Sequence, residues 1–324
     1  MILDISFVHQ ICQKKCYNTV FKKGTSIKKF RKVHIEITNI CNLACSFCPP
    51  KVLSNETMSL ELFEKINQEV KPFTKELAYH IVGDPLVLSN LNSYLDISFK
   101  HGLKVNLTSS GNNMTQKDFD MLSHAAIKQV NFSINSYHAN SHKKSLDAYL
   151  MPLFEFAQYV IESGKELFIN FRLWNFDQTQ SAKTFNELVF EKVNIFFKTQ
   201  LDFNDVYKSK PKSMKIARKL FFTFDDYFQW PSLKNKQVQQ HGYCYGLNSH
   251  FGVLSSGVVV PCCLDKDGII NLGNLKTQRL EDILNTQRVK NIQQGFKNFT
   301  AVETLCQHCE YKTKFNTKAK EAHE

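Results

Sequence analysis

The chain has 324 residues, 43% hydrophobic and 22% charged, an ordinary globular composition that allows a main domain with a smaller companion. Its 41 basic and 30 acidic residues leave a net charge of +11, which suits an anionic partner such as RNA, a phosphorylated metabolite or an acidic peptide. No apolar run approaches the roughly 18–20 residues of a membrane span, so no membrane partner is expected.

The opening stretch, Met1 to His9, is broken early by acid and histidine and lacks the pattern of a signal peptide. The ten cysteines fall largely at metal-ligand spacings, so a reducing cytoplasm is the expected compartment. Residues 1–32 read as an N-terminal extension. Cys12 and Cys16 in it are four apart and read as ordinary thiols, with metal binding as the alternative.

From Val33 strands and helices alternate. Val33 to Thr38 is a strand, and Ser59 to Val70 a helix with Ser59 as its N-cap. Leu77 to Val82 is a strand, Leu91 to Lys100 a helix and Leu103 to Thr108 a strand. Thr115 to Ala125 reads as a helix, Gln129 to Asn135 as a strand and Ser145 to Ser163 as a helix stopped by Gly164. Leu167 to Trp174 is a strand, Ser181 to Lys192 a helix and Lys219 to Phe224 a sixth strand. The lysine-rich stretch from Lys208 to Lys219 reads as a solvated loop. This alternation implies a parallel sheet with right-handed crossovers.

Four strands carry one polar face. His34, Glu36 and Thr38 oppose Val33, Ile35 and Ile37; Asn106 and Thr108 oppose Val105 and Leu107. Asn131, Ser133 and Asn135 share a face, as do Asn170 and Arg172. Parallel strands buried on both sides are usually apolar throughout, so these faces imply helices outside and a polar cavity within. Arg172 suits a carboxylate, which guanidinium grips bidentately, while His34, Glu36 and His80 can move protons or simply line the cavity. The aromatic stretch from Phe221 to Pro231 reads as packing between domains, and 231–240 as a linker.

Between the first strand and helix lie Cys41, Cys45 and Cys48, spaced C-x3-C-x2-C with Phe47 before the third. Three thiolates leave one iron of a four-iron cluster free, whereas zinc sites usually read as cysteine pairs. Later come Cys244, then Gly257 and Cys262 around a hairpin of Phe251–Leu254 and Val258–Pro261, a helix near Leu280 to Gln293, and Cys306 with Cys309. Cys244, Cys262, Cys306 and Cys309 can close one site, iron–sulfur or zinc, with Cys263 a bystander.

The first cysteine motif resembles that of the radical S-adenosylmethionine (SAM) enzymes. The resemblance implies a [4Fe-4S] cluster on Cys41, Cys45 and Cys48 with SAM at the open iron. It further implies reductive SAM cleavage to a 5′-deoxyadenosyl radical and a low-potential electron donor such as flavodoxin or ferredoxin. Gly83-Asp84-Pro85 resembles the family's Gly-Gly-Glu-Pro motif, with Val82 for the first glycine and Asp84 for the glutamate. Thr108-Ser109-Ser110-Gly111 stands where many relatives have Thr-Thr-Asn-Gly. Ser133 and Asn135 fall on the strand that contacts SAM in the family, and Arg172 is expected to meet either the methionine carboxylate of SAM or a substrate acid. The later cysteines resemble SPASM/twitch domains in their shortened form, which implies one auxiliary [4Fe-4S] cluster. The implied fold is α/β, a partial (β/α)6 radical SAM barrel over 33–230 followed by a small α+β twitch domain over 241–324. Peptide or protein modification and small-molecule oxidation are the expected reactions, with RNA modification third. The alternative is a zinc-stapled nucleic-acid-binding protein without catalytic activity.

Overall fold

The computed structural model describes residues 29–140, 144–176, 179–236 and 240–315, so Cys12 and Cys16 lie outside the described residues. The first half runs β1 (Lys32–Ile35), α1 (Leu60–Val70), β2 (Glu76–Tyr79), α2 (Leu91–Lys100), β3 (Lys104–Ser109), α3 (Phe119–Leu122), β4 (Ile127–Ser133) and α4 (Asn135–His138). It continues with α5 (Leu146–Glu162), β5 (Phe168–Leu173), α6 (Gln180–Phe197), α7 (Phe203–Ser209), β6 (Ser213–Ala217) and β7 (Leu220–Phe224). The remainder comprises β8 (His250–Val253), β9 (Val258–Val260), β10 (Gly273–Asn274), α8 (Leu280–Leu284), α9 (Gln287–Lys297) and α10 (Thr304–Gln307).

Side-chain caps fix several helix starts. Ser59 accepts from the Leu62 N–H at 3.2 Å, Ser145 from Ala148 at 3.2 Å and Thr179 from Ala182 at 3.1 Å, each satisfying an otherwise orphaned donor. Thr179 starts its helix earlier than Ser181, the sequence-based expectation. The expected helix from Leu280 to Gln293 is two, because Thr286 caps a second one through the Val289 N–H. The expected Thr115–Ala125 helix is a 3-10 turn followed by the four-residue α3.

Strands β1, β2, β3, β4, β5 and β7 pair in parallel, in that order, and form the six-stranded partial barrel. Val33, Ile35, Leu77, Val105, Val130 and Phe171 point outward, are buried under the helices and form the core. Each such side chain contributes about 1.5–3 kcal/mol relative to exposure. On this face Phe190 of α6 stacks on Phe222 of β7 at 4.7 Å.

Two features of the sheet differ from expectation. Ser213 to Ala217, within the stretch read as a loop, forms β6, antiparallel to β7 at the sheet edge. Lysines suit such an edge, since they discourage pairing with another chain. At the other end β8 pairs in parallel with β1, from Lys32 opposite His250 to Ile35 opposite Val253. Antiparallel β9 and β10 follow, so the sheet continues into the C-terminal part. Phe228 packs on Tyr311 at 4.8 Å, whereas Phe222 and Phe224 of the same aromatic stretch pack within the barrel domain against Phe190 and Phe176.

Candidate active site

The inward side chains divide into two tiers. In the lower tier the asparagines bond to one another and to the strands. The Asn170 Nδ2 donates to Asn131 Oδ1 at 3.0 Å, Asn131 Nδ2 donates to the Leu107 carbonyl at 3.0 Å, and Asn106 Nδ2 donates to Glu76 at 3.1 Å. These amides satisfy one another instead of facing the cavity. Above them opens a cavity of about 1080 Å³, lined by His34, Glu36, His80, Gly83, Ser133, Asn135 and Arg172. Both cysteine sets open onto it: Cys41, Cys45 and Cys48 on one side and Cys244, Cys262, Cys263, Cys306 and Cys309 on the other.

The first cysteine loop is held from three directions. Asn39 pins its start through Ser54 and Glu56, both at 2.8 Å. The Asp84 N–H donates to the Ile40 carbonyl at 2.9 Å, tying the loop to the end of β2. Asn140 accepts from the Ala44 N–H at 3.0 Å and donates to Cys45 Sγ at 3.0 Å. The Leu43 N–H also points at Cys41 Sγ, at 3.5 Å. A hydrogen bond from Cys48, with Asn140 assisting, draws the Cys45 thiol down from its usual value, while burial raises Cys41. N–H donors aimed at sulfur suit thiolates that carry charge to a metal, so these residues fit a cluster.

The second set is more deeply enclosed. Burial pushes Cys244 up to about 12 and Cys263 up to about 11, and holds Cys262, Cys306 and Cys309 above their usual values. The charges of neighbouring thiols add to the rise at Cys262 and Cys306, as expected of side chains gathered around one site. The Gly246 N–H points at Cys244 Sγ at 3.4 Å, and buried Lys312 donates to the Cys309 carbonyl at 3.2 Å. No three His, Cys, Asp or Glu side chains among the described residues form a single-ion site. A cubane of four irons holds its thiolates farther apart than one ion does.

The remaining expected residues are distributed unevenly. Phe47 lines the cavity and stacks on Tyr227 at 5.1 Å. Gly83 has φ +79°, and a Cβ there would meet the Thr38 carbonyl oxygen at 2.4 Å, so glycine lets the end of β2 close on the cysteine loop. Asp84 faces away from the cavity: it accepts from the Ser110 N–H at 2.9 Å and hydroxyl at 2.7 Å and caps the turn begun by Pro85. Thr108 sits beside Asn131 Nδ2 at 3.3 Å, and Ser109 accepts from the Gly111 N–H at 2.9 Å; neither lines the cavity. Ser133 stands in register with Arg172, while Asn135 begins α4 instead of ending β4.

Glu36 accepts from the Ser255 N–H at 3.1 Å and hydroxyl at 3.0 Å, so it fastens β1 to the hairpin between β8 and β9. Burial raises its carboxyl. The His34 Nδ1 lies 3.2 Å from the His80 carbonyl, and burial pushes His80 down to about 3. Residues missed in the sequence are Asn140, Lys32, His250 and Trp174. Asn140 had no local signal, because its partners are nearly a hundred positions earlier. Lys32 and His250 become neighbours only through the pairing of β1 with β8.

Residues 35–170 match the radical SAM superfamily, and residues 244–310 match SPASM, an iron–sulfur cluster-binding domain. No curated protein sequence matches the chain. Solved structures share the fold. BtrN in complex with AdoMet and 2-DOIA is 16% identical, with 88% of this chain and 94% of that one covered and a TM-score of 0.54. Streptococcus suis SuiB bound to precursor peptide SuiA is 15% identical, covering 87% and 71%, with a TM-score of 0.55. Histidine-tagged anSMEcpe with bound AdoMet is 14% identical, covering 90% and 92%, with a TM-score of 0.56. Neither the fold nor these comparisons supports the zinc-stapled nucleic-acid-binding alternative. No helix among the described residues is long and apolar enough to cross a membrane. The cofactors are a [4Fe-4S] cluster, SAM and auxiliary iron–sulfur chemistry. The chain belongs to the radical SAM superfamily and carries a C-terminal SPASM/twitch-type auxiliary iron–sulfur domain.

Proposed function

We propose that the chain is a SAM-dependent oxidoreductase or maturase that removes hydrogen from a peptide or small molecule held between two cluster sites. The observation that carries this reading is the single cavity onto which both cysteine sets open. Cys41, Cys45 and Cys48 would hold the SAM-binding cluster, and Cys244, Cys262, Cys306 and Cys309 the auxiliary one. When bound, the first cluster and SAM supply hydrogen-atom abstraction from an unactivated C–H bond.

The chain's own residues position and shield. Asn39 and Asn140 through their side-chain amides, and Asp84 through its backbone N–H, fix the cysteine loop. Gly83, Ser133 and Asn135 form the wall nearest that loop and are placed to orient SAM. Phe47 and Tyr227 cover one side with stacked rings and exclude water. Glu36 is tethered by Ser255, so it acts chiefly as a strut, whereas burial holds His34 and His80 neutral and weakly basic, which suits them to hydrogen-bond a ligand in the cavity.

The cavity is of the size that accommodates small ligands, and must also admit SAM, which favours a small molecule or one peptide side chain over folded RNA. Fold neighbours were solved with a precursor peptide in SuiB and with 2-DOIA in BtrN. A low-potential flavodoxin or ferredoxin would supply electrons, and a reducing cytoplasm would preserve the thiolate sites. Anaerobic reconstitution with iron and sulfide, then reduction with SAM, tests the reading. It predicts 5′-deoxyadenosine, lost when Cys41, Cys45 and Cys48 become Ala; a protein that takes up zinc but no iron–sulfur cluster refutes it.

A further inference from the structure

One corner of this cavity gathers positive charge. Lys32 and His34 of β1, His80 beyond β2, Arg172 of β5 and His250 of β8 all line it. Lys32 stands in register with His250 across the β1–β8 pair, and the rings of His34 and His250 meet edge-on at 5.6 Å. The Arg172 guanidinium lies over the Trp174 ring at 4.7 Å, which fixes its plane and leaves its N–H edge for a ligand.

Neither Lys32 nor Arg172 forms an ion pair with a described carboxylate. The carboxylate whose charge acts on Lys32 is Glu76, which is itself held by Lys128 and Asn106. Three of the four carboxylates that line the cavity have partners of their own. Glu36 is bonded to Ser255, Asp265 accepts from the Ile269 and Ile270 N–H groups at 2.9 and 2.8 Å, and Asp267 pairs with Lys266 at 2.5 Å.

Taking cations out of water is costly unless an anion joins them. Burial lowers Arg172 to about 10, so it stays charged at neutral pH. Burial lowers His80 to about 3 and His250 to about 4, leaving both rings neutral and able to donate or accept hydrogen bonds. Lys32 begins β1, at the opposite end of that strand from the cysteine loop, and the Arg172 charge acts on it across the cavity.

We propose that this corner binds an oxyanion of the substrate, a carboxylate or a phosphate, with Arg172 and Lys32 as its charged grips and the three histidines as neutral hydrogen-bonding partners. This rests on the oxidoreductase reading, since it specifies the substrate class of that cavity. The competing role is compensation of auxiliary-cluster charge, because Cys263 faces the same two cations.

The test is fluorescence titration of the reconstituted protein with inorganic phosphate and with succinate at constant ionic strength. Trp174 and Trp230 are the chain's two tryptophans and both line the cavity. A saturable change is expected with one anion or both, weakened about tenfold or more in Arg172→Met and in Lys32→Met. Stronger phosphate binding assigns a phosphorylated substrate, and stronger succinate binding a carboxylic acid. Wild-type protein that responds no more than to chloride overturns the proposal, whatever the variants do. Unchanged binding in both variants also overturns it, as does loss of iron from the variants together with no saturation in the wild type. Iron content and SAM cleavage on the same samples keep the readings apart: anion binding without SAM cleavage or cluster uptake sinks the oxidoreductase reading alone.

Discussion

Gly83→Ala is the sharpest perturbation available at the junction of β2 and the cysteine loop. The residue has φ +79°, where a side chain costs about 1–2 kcal/mol. An added Cβ would lie 2.4 Å from the Thr38 oxygen, 2.8 Å from the Asn39 carbonyl carbon and 2.9 Å from Asn39 Cα. All three are backbone atoms, fixed by the Asn39 bonds to Ser54 and Glu56, so relief requires moving the loop itself. Overpacking of this kind adds about 1–3 kcal/mol. The total is about 3 kcal/mol, or roughly 4–5 °C in melting midpoint for a chain of 324 residues. Gly164→Ala is the matched control: φ is +67°, but no atom lies within 4 Å of the added Cβ, so only the conformational cost of about 1 kcal/mol applies. Urea unfolding and SAM cleavage should be measured on both. Gly83→Ala should lose most cleavage as its loop shifts, while Gly164→Ala keeps it. Equal destabilisation in the two variants, with cleavage intact in both, would refute the close-approach argument.

Asp84→Ala should cost about 1–3 kcal/mol in urea unfolding, because it strands the part-buried Ser110 donors and removes the cap on Leu86; the side chain faces away from the cavity, so SAM affinity should fall less than fivefold. Asn140→Ala should release Cys45 and Ala44 and speed air-induced bleaching of the SAM-binding cluster severalfold, with the auxiliary signal unaffected. Stability should fall with acid from an unusually high pH. The folded chain holds His80 and His250 neutral down to about 3 and about 4, whereas unfolded histidines take up protons below about 6.5, so the unfolded state gains protons and stability drops as pH falls through that window. His250→Asn should flatten the urea-stability slope between pH 6 and pH 5 by up to about 1.4 kcal/mol per pH unit.

Local chemistry was readable where one residue sets one outcome. Ser59 and Ser145 fixed the starts of their helices, and the alternation of Val33, Ile35 and Ile37 with His34, Glu36 and Thr38 marked the two faces of β1 and its extension. Long-range pairing was not readable. Nothing near His250 indicates that β8 lies beside β1, and that pairing brings Lys32 to the cavity. A polar face also has two uses that sequence alone does not distinguish. Asn106, Asn131 and Asn170 bond among themselves and the strands, whereas Arg172, two residues beyond Asn170 on the same face, reaches the cavity. Lysine content suggested a loop at Ser213 to Ala217, where it instead marks an edge strand.

The most direct test is electron paramagnetic resonance of the reduced, reconstituted protein before and after SAM is added. The account predicts two cluster signals, one of which changes on SAM addition and vanishes when Cys41, Cys45 and Cys48 are replaced by Ala. Iron should fall in that variant from about eight to about four per chain, as two four-iron cubanes require. Spectra untouched by SAM in protein holding its full iron would contradict the assignment of an open iron to these three cysteines.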